Sequence, residues 1–302
     1  MPSMMRKISI LALILVLIAL FWYLFLKPQD YQVSFKAKAL PGTIFETVKA
    51  WNKTMDTVAP VQFESLQDFT QTLAFNDSVH IYEWNITKIH DSLSQIDVNI
   101  KDRDHSLMNK IKIPFSDTDF EKGSRKTLLD FNQFLNEHLQ KFKVSIVGEE
   151  ELFSTFCACV SLTTEPVEKA GGIMANYSYL NSTIFENGAE PNGPPFLEVE
   201  NWDLKANTLS YNFCFPIIRS EKLPIHPSIT YKRIFGKPAL KAVYNGNYVT
   251  SDRAWYALLN YAEENNIPVE KKPIEVFFNN PNMGGNEIEW RTEVYMPIKE
   301  SE

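Results

Sequence analysis

One acidic residue near the carboxyl terminus has neighbours typical of a buried strand. Glu293 is followed by Val294, Tyr295 and Met296, and a carboxylate in such surroundings costs free energy unless it has a partner. We expect that partner to be a cationic ligand. The alternatives are that Glu293 faces solvent at a sheet edge, or that it pairs with a neighbouring side chain such as Arg291. Aromatic rings attract cations and stack on flat ligands, and the nearby sequence offers Tyr244, Tyr248, Trp255, Phe278, Trp290 and Tyr295. We predict a ligand site from Glu293 and these rings, although strand alternation assigns part of the set to the core.

The sequence lacks motifs for other kinds of chemistry. It contains no HExxH, GxSxG, Walker A or GxGxxG pattern, and its five histidines are scattered without metal-ligand spacing. We therefore expect neither a metal nor a cofactor. Cys157 and Cys159 would share one face of a strand, and we expect them and Cys214 to be buried free thiols. The alternative, in an oxidising compartment, is a bridge from one of them to Cys214.

Length and charge limit the class of protein. The chain has 302 residues, of which 44% are hydrophobic, so it can form two domains with real cores. Thirty Lys and Arg against 37 Asp and Glu give a net charge of −7. Because no sequence-wide basic surface is available to neutralise phosphates, we expect no nucleic-acid partner.

The first thirty residues contain an apolar stretch, Ile8 to Leu26, without a charged side chain. As a helix it would span about 28 Å, close to the bilayer core. Arg6 and Lys7 precede it, which favours a cytoplasmic tail at 1–7, a transmembrane helix at 8–27 and soluble domains on the periplasmic side. The alternative is a cleaved signal peptide, whose apolar region is usually shorter.

Residues 28–148 show the pattern of a mixed domain. Alternation at Tyr31, Val33 and Phe35 predicts a strand, and Pro41-Gly42 opens a short helix. Four apolar segments, at 66–75, 78–89, 92–101 and 105–114, predict a meander with turns at Asn76-Asp77, His90-Asp91 and 101–104. Apolar residues from Leu128 to Phe142 then mark a long helix. This order of elements resembles the START-like (polyketide-cyclase-like, SRPBCC) helix-grip domain. The resemblance implies a cavity under the helix; the alternative is a core filled by Trp84 and Tyr82.

The last 150 residues contain an internal repeat. NFCFPI at 212–217 and EVYMPI at 293–298 lie 81 residues apart, and the same offset aligns a predicted helix at 166–185 with one at 251–266. It also sets Phe196-Leu197 on Phe277-Phe278 and Ala158 on Ala239. Ser251 is the expected N-cap of the second helix. Each copy predicts the order strand, helix, strand, strand, and two copies imply a groove between them. The chain is thus predicted to be α+β.

Four ordered motifs in the second copy carry a further resemblance: LKAVYNGNY at 240–248, AWYAL at 254–258, EVFFNNP at 275–281 and TEVYMPI at 292–298. They resemble the GyrI-like domain, also known as the bacterial transcription-activator effector-binding domain, over residues 152–298. The resemblance implies a groove that binds amphipathic, often cationic, aromatic compounds, with Glu293 as the buried glutamate of the last strand. Regulators of the family carry a DNA-binding module before the effector domain, at the place where this sequence predicts a membrane anchor and a START-like domain. We therefore expect no direct control of transcription. Some stand-alone relatives hydrolyse strained natural products with a glutamate in the same groove.

The sequence therefore supports three hypotheses of function. The first is a membrane-anchored protein that binds or senses a small amphipathic molecule in a GyrI-like domain at 150–302. The second is a hydrolase with Glu293 as general acid or base. The third is a scaffold for another envelope protein. We place the domain boundary at residues 148–152, with the alternative that 143–147 form a strand of the second domain.

Overall fold

The computed structural model describes residues 2–55, 59–75, 78–90 and 92–300. The chain divides into two compact units, Met1–Asn136 and Glu137–Glu302. Both units combine helices with an antiparallel sheet, which confirms the predicted α+β class.

The N-terminal helix is apolar from Ile8 onward. Helix α1 (Pro2–Phe21) continues into a π-helical turn at Trp22–Leu26. The span Met5–Leu26 has a mean hydropathy of 2.8, and its side chains are not buried within the protein. A helix of this length and composition fits either a membrane span or a signal sequence.

The rest of the first unit is a five-stranded sheet with helices. Its strands are β1 (Tyr31–Ala37), β2 (Gln62–Phe63), β3 (Asp68–Phe75), β4 (Ser78–His90) and β5 (Leu93–Asp102), in the order β1-β5-β4-β3-β2. Its helices are α2 (Pro41–Asn52), α3 (Ser106–Lys112) and α4 (Asp119–Leu139). Trp84 stacks on Phe69 and meets Phe131 of α4 edge to face, with ring centroids 5.8 and 4.9 Å apart. Trp84 and Tyr82 are fully buried, as expected of the filled-core alternative.

Two predicted elements of this unit are wrong. The segment at 105–114 is helix α3, because the Asp102 carboxylate accepts hydrogen bonds from the backbone N–H groups of Asp104 and His105 and turns the chain there. Phe142, predicted on the long helix, begins a strand after α4 ends at Leu139. The predicted turn residues Asn76, Asp77 and Asp91 lie outside the described residues.

The second unit is an eight-stranded sheet with two helices. Its strands are β6 (Phe142–Glu151), β7 (Thr155–Thr164), β8 (Phe196–Asp203), β9 (Thr208–Pro216), β10 (Thr230–Ile234), β11 (Pro238–Gly246), β12 (Ile274–Phe277) and β13 (Arg291–Pro297). Its helices are α5 (Lys169–Phe185) and α6 (Arg253–Glu264). Strand β6 pairs with β11, so the residues at 143–147 belong to this unit, and the observed division at 136/137 precedes the predicted boundary.

The strand order confirms the predicted duplication. The sheet runs β10-β7-β9-β8-β12-β13-β11-β6, so β7-β9-β8 of the first copy mirrors β12-β13-β11 of the second about the β8–β12 pair. Both copies follow the predicted order of strand, helix, strand, strand. Helices α5 and α6 cover one face of the sheet, which we call the helix face. We call the other side the opposite face.

The offset of 81 residues does not hold in every strand. It relates Phe213 to Val294, which both lie on the helix face. It also aligns Ala158 with Ala239, yet Ala158 lies on the helix face and Ala239 on the opposite face. Because side chains alternate along a strand, an error of one residue exchanges the two faces. The connections between strands therefore differ in length by single residues between the two copies.

The cysteines also depart from expectation. Cys159 on β7 and Cys214 on β9 are direct register partners with Cα atoms 4.1 Å apart, and they form a disulfide. Cys157 remains a buried free thiol on the same face, and burial raises its pKa to about 12. The alternative of a bridge to Cys214 is therefore correct, and three free thiols are not.

Candidate ligand-binding cavity

A cavity of about 220 Å³ opens between the two copies of the repeat in the second unit. Helix α5 of the first copy contributes Ala170, Ile173 and Met174 to its wall. The second copy contributes Tyr248, Phe277 and Trp290. A groove between duplicated units is thus present, as the repeat predicted.

Local structure explains why this space stays open. Gly171 lies on the wall, and a Cβ atom added there would meet nothing within 4 Å. Across the cavity, the Tyr248 hydroxyl donates to the backbone oxygen of Asn279 at 2.8 Å and accepts from its N–H at 3.0 Å. This pair of hydrogen bonds fixes the loop after β12. Gly171 therefore leaves open space in the helix wall, and hydrogen bonds fix the loop across the cavity.

The side-chain oxygens of the three asparagines on the wall are already engaged inside the protein. The Asn279 side-chain oxygen accepts from the Arg291 N–H, and that of Asn280 accepts from the Asn282 N–H. Asn247 accepts from Val249. Because these oxygens hold loop backbone, the cavity presents mainly apolar and aromatic surface to a ligand.

The predicted site residues fall into three groups. Tyr248 and Trp290 line the cavity, and their rings lie 5.5 Å apart. Trp255 and Tyr244 are fully buried on the helix face and do not line it. Phe278, Glu293 and Tyr295 are the third group, and they do not line it either.

Strand register explains why Glu293 and Tyr295, two members of the third group, do not line the cavity. Phe277, on the cavity wall, pairs with Thr292, whereas Glu293 pairs with Val276 of the opposite face. Tyr295 belongs to the opposite face as well. Glu293 therefore does not line this cavity, because its side chain leaves β13 on the side away from the helices.

Glu293 has protein partners instead of an open site. It forms ion pairs with Lys241, at 3.2 Å, and with Arg291, and it accepts a hydrogen bond from the Tyr295 hydroxyl at 2.7 Å. Burial by itself would raise the pKa of Glu293, but these hydrogen bonds and charges outweigh it and place the pKa below its usual value. The carboxylate is thus held in its charged form, which matches the alternative of pairing with Arg291.

A different carboxylate, not predicted from the sequence, lies beneath the cavity. Glu275 on β12 is fully buried, and its side chain lies 3.4 Å from the ammonium group of Lys169, which is also fully buried. Ser251 donates a hydrogen bond to Glu275 at 3.0 Å, so its hydroxyl does not cap α6 as predicted. Burial raises the pKa of Glu275, against the effects of Lys169 and Ser251.

Comparison with known proteins matches the second unit of the chain to a protein family. Residues 157–299 match the family described as the GyrI-like small molecule binding domain. The second unit carries a GyrI-like domain. The family match leaves the residues before 157 outside it, and the START-like resemblance of the first unit stays a prediction. No match to the chain was found among curated proteins.

Solved structures similar to this chain include a domain of EcmrR, the ligand-bound protein SAV2435 and a hydrolase. The C-terminal domain of EcmrR is 15% identical over 53% of this chain and 99% of that chain, with a TM-score of 0.45. SAV2435 bound to tetraphenylphosphonium is 13% identical over 51% of this chain and 94% of that chain, with a TM-score of 0.36. A hydrolase encoded by lin2189 from Listeria innocua is 12% identical over 55% of this chain and 98% of that chain, with a TM-score of 0.32.

Proposed function

We propose that this chain binds a small amphipathic molecule of mainly apolar character in the cavity of its GyrI-like domain. The observation that carries the proposal is the apolar and aromatic wall between α5 and the second copy of the repeat. Cavities for drug-sized ligands usually measure about 300–1,000 Å³. With about 220 Å³, this cavity suits a small ligand or the apolar part of a larger one.

Binding without turnover is better supported than hydrolysis. The predicted general acid or base, Glu293, lies on the opposite face of the sheet and is paired with Lys241 and Arg291. A carboxylate whose pKa is lowered makes a poor proton donor near neutral pH. Lys169, which directly precedes the wall residue Ala170, is fully buried and hydrogen bonded.

We also propose that the N-terminal helix anchors the chain in a membrane with both units on the periplasmic side. The apolar span supports the anchor, and the Cys159–Cys214 disulfide supports an oxidising compartment. An alkaline phosphatase fused after Glu302 is expected to be active in the membrane fraction. A soluble, shortened form of the chain would contradict the anchor, and an inactive fusion would contradict the orientation.

Filling the cavity tests the binding proposal. Gly171→Phe adds a ring where no atom lies within 4 Å of the new Cβ, and it also removes a helix-weakening glycine. We expect it to weaken binding of neopentylbenzene at least tenfold, whereas Gly171→Ala leaves binding within twofold. The readout is the ¹³C-methyl signal of Met174, which lines the cavity, in titrations of the detergent-solubilised chain. Equal affinities of the two variants would contradict the proposed cavity.

Glu293 provides a second test, since its charge is engaged on the opposite face. We expect Glu293→Gln to leave neopentylbenzene binding unchanged and to lower the free energy of unfolding by about 1–3 kcal/mol, because Lys241 loses a charged partner. As the pKa of Glu293 is lowered in the folded state, this contribution is present at neutral pH and disappears as pH falls through that pKa. Urea unfolding at pH 7 and in acid measures both effects. Weaker binding with unchanged stability would place Glu293 in the ligand site.

A further inference from the structure

The buried pair beneath the cavity is more than a single contact. The Lys169 ammonium group donates to the Ser251 hydroxyl at 2.7 Å and to the backbone oxygen of Tyr248 at 3.3 Å. It lies 5.1 Å from the centre of the Trp255 ring and 3.4 Å from the Glu275 carboxylate. A carboxylate, an aromatic face and a hydroxyl together are the groups that bind an organic cation. Here a side chain of the protein occupies them.

This cage adjoins the proposed ligand cavity. Lys169 directly precedes Ala170 and Gly171 of the cavity wall on α5. Glu275 lies two residues before Phe277 of the wall, hence on the same face of β12. Tyr248 joins the two, because its ring lines the cavity while its backbone oxygen accepts from Lys169. An ion pair whose cation is a side chain of the protein therefore lies immediately behind an apolar wall.

Stability alone gives little reason for such a pair. Taking two charges out of water is costly, and apolar residues of similar volume are often at least as stabilising in their place. What the pair does provide is a carboxylate and an indole face that are already occupied. Because the Lys169 ammonium group takes both, neither is left to bind a ligand cation.

We infer that Lys169 is a built-in cation that makes the cavity select neutral molecules over organic cations of the same shape. This inference rests on the proposed function and specifies its ligand class. It replaces the expectation of a cationic ligand, because Glu275 has an internal partner and Glu293 lies on the other face of the sheet.

Two compounds of nearly equal shape test the inference: neopentylbenzene, which is neutral, and benzyltrimethylammonium, which carries one positive charge. We expect the unaltered full chain to bind the neutral compound at least tenfold more tightly, as followed at the Met174 methyl group with free ligand concentrations measured. Equal or tighter binding of the cation would overturn the inference. Absence of neopentylbenzene binding would contradict the proposed function instead.

Substitution of Lys169 gives the second part of the test. We expect Lys169→Ala to raise the affinity for benzyltrimethylammonium at least tenfold, because the Glu275 carboxylate and the Trp255 ring become available. Affinity for neopentylbenzene should stay within threefold of its original value. The matched double variant Lys169→Ala/Glu275→Gln should lose the gain for the cation, since the carboxylate is gone.

Each outcome of this comparison decides the question. The inference would be overturned if Lys169→Ala folds but does not bind benzyltrimethylammonium more tightly. It would also be overturned if the double variant keeps the increased affinity. If Lys169→Ala does not fold, the preference of the unaltered chain between the two compounds decides. If neither compound binds any of the proteins, the proposed function and the inference that rests on it are both overturned.

Discussion

Glu275→Gln is expected to lower the free energy of unfolding of the second unit by about 3–5 kcal/mol. The substitution keeps the shape of the side chain but leaves the Lys169 ammonium group, which is fully buried, without a counter-charge. Ser251 and the Tyr248 backbone oxygen remain as its partners, and neither carries a charge. Urea unfolding followed by tryptophan fluorescence measures the loss, since Trp255 lies beside the pair.

The double variant Lys169→Met/Glu275→Leu is the control for this prediction. It removes both charges and keeps an apolar volume, so it should recover most of the stability lost by Glu275→Gln. The coupling between the two sites follows from a double-mutant cycle that includes the single variants. A cost below about 1 kcal/mol for Glu275→Gln would show that Lys169 does not depend on this carboxylate.

The second large effect concerns the disulfide. Cys159→Ala is expected to lower the free energy of unfolding by about 2–4 kcal/mol, because the bond closes a loop with a sequence separation of 55 residues and restricts the unfolded chain. Cys157→Ala, at a buried free thiol on the same face, is the matched control and should cost clearly less. Unfolding in reducing buffer should reproduce the Cys159→Ala value with the native sequence. Equal stability of the two variants under oxidising conditions would contradict the assigned pairing.

The sequence predicted the architecture of the second unit well because duplication leaves two independent copies of each pattern. The Pro-Ile endings of NFCFPI and EVYMPI located β9 and β13, and the helix that precedes each of these strands in its own copy was predicted as well. The assignment of side chains to faces was less successful. An offset of 81 residues suits β9 and β13, but single-residue differences elsewhere reverse the faces of β7 and β11.

The same problem of faces explains the errors at the candidate site. Glu293 and Glu275 are both single acidic residues in apolar strands, so the sequence signal is the same for each. Only the pairing of Val276 with Glu293, and of Glu275 with Val294, reveals which carboxylate lies on the helix face. Ser251 had a local role in the sequence, as a helix cap, and its actual partner lies 24 residues away. Contacts of this kind depend on tertiary packing.

The prediction of a strand at 105–114 was wrong for a related reason. Leu107 and Ile111 suggested a buried strand, yet both are largely exposed, while Lys110 is buried beside Asp30. A buried lysine gives no apolar pattern, so periodicity could not locate this element.

The central claim is that a small neutral molecule occupies the cavity between the two copies of the repeat. The most direct measurement is an intermolecular nuclear Overhauser effect between the tert-butyl protons of neopentylbenzene and methyl-labelled methionines of the full chain. We predict a contact to Met174 on the cavity wall and none to Met283, which is 84% exposed and outside it. Contacts to Met283 without Met174, or to neither at saturating ligand, would contradict the account.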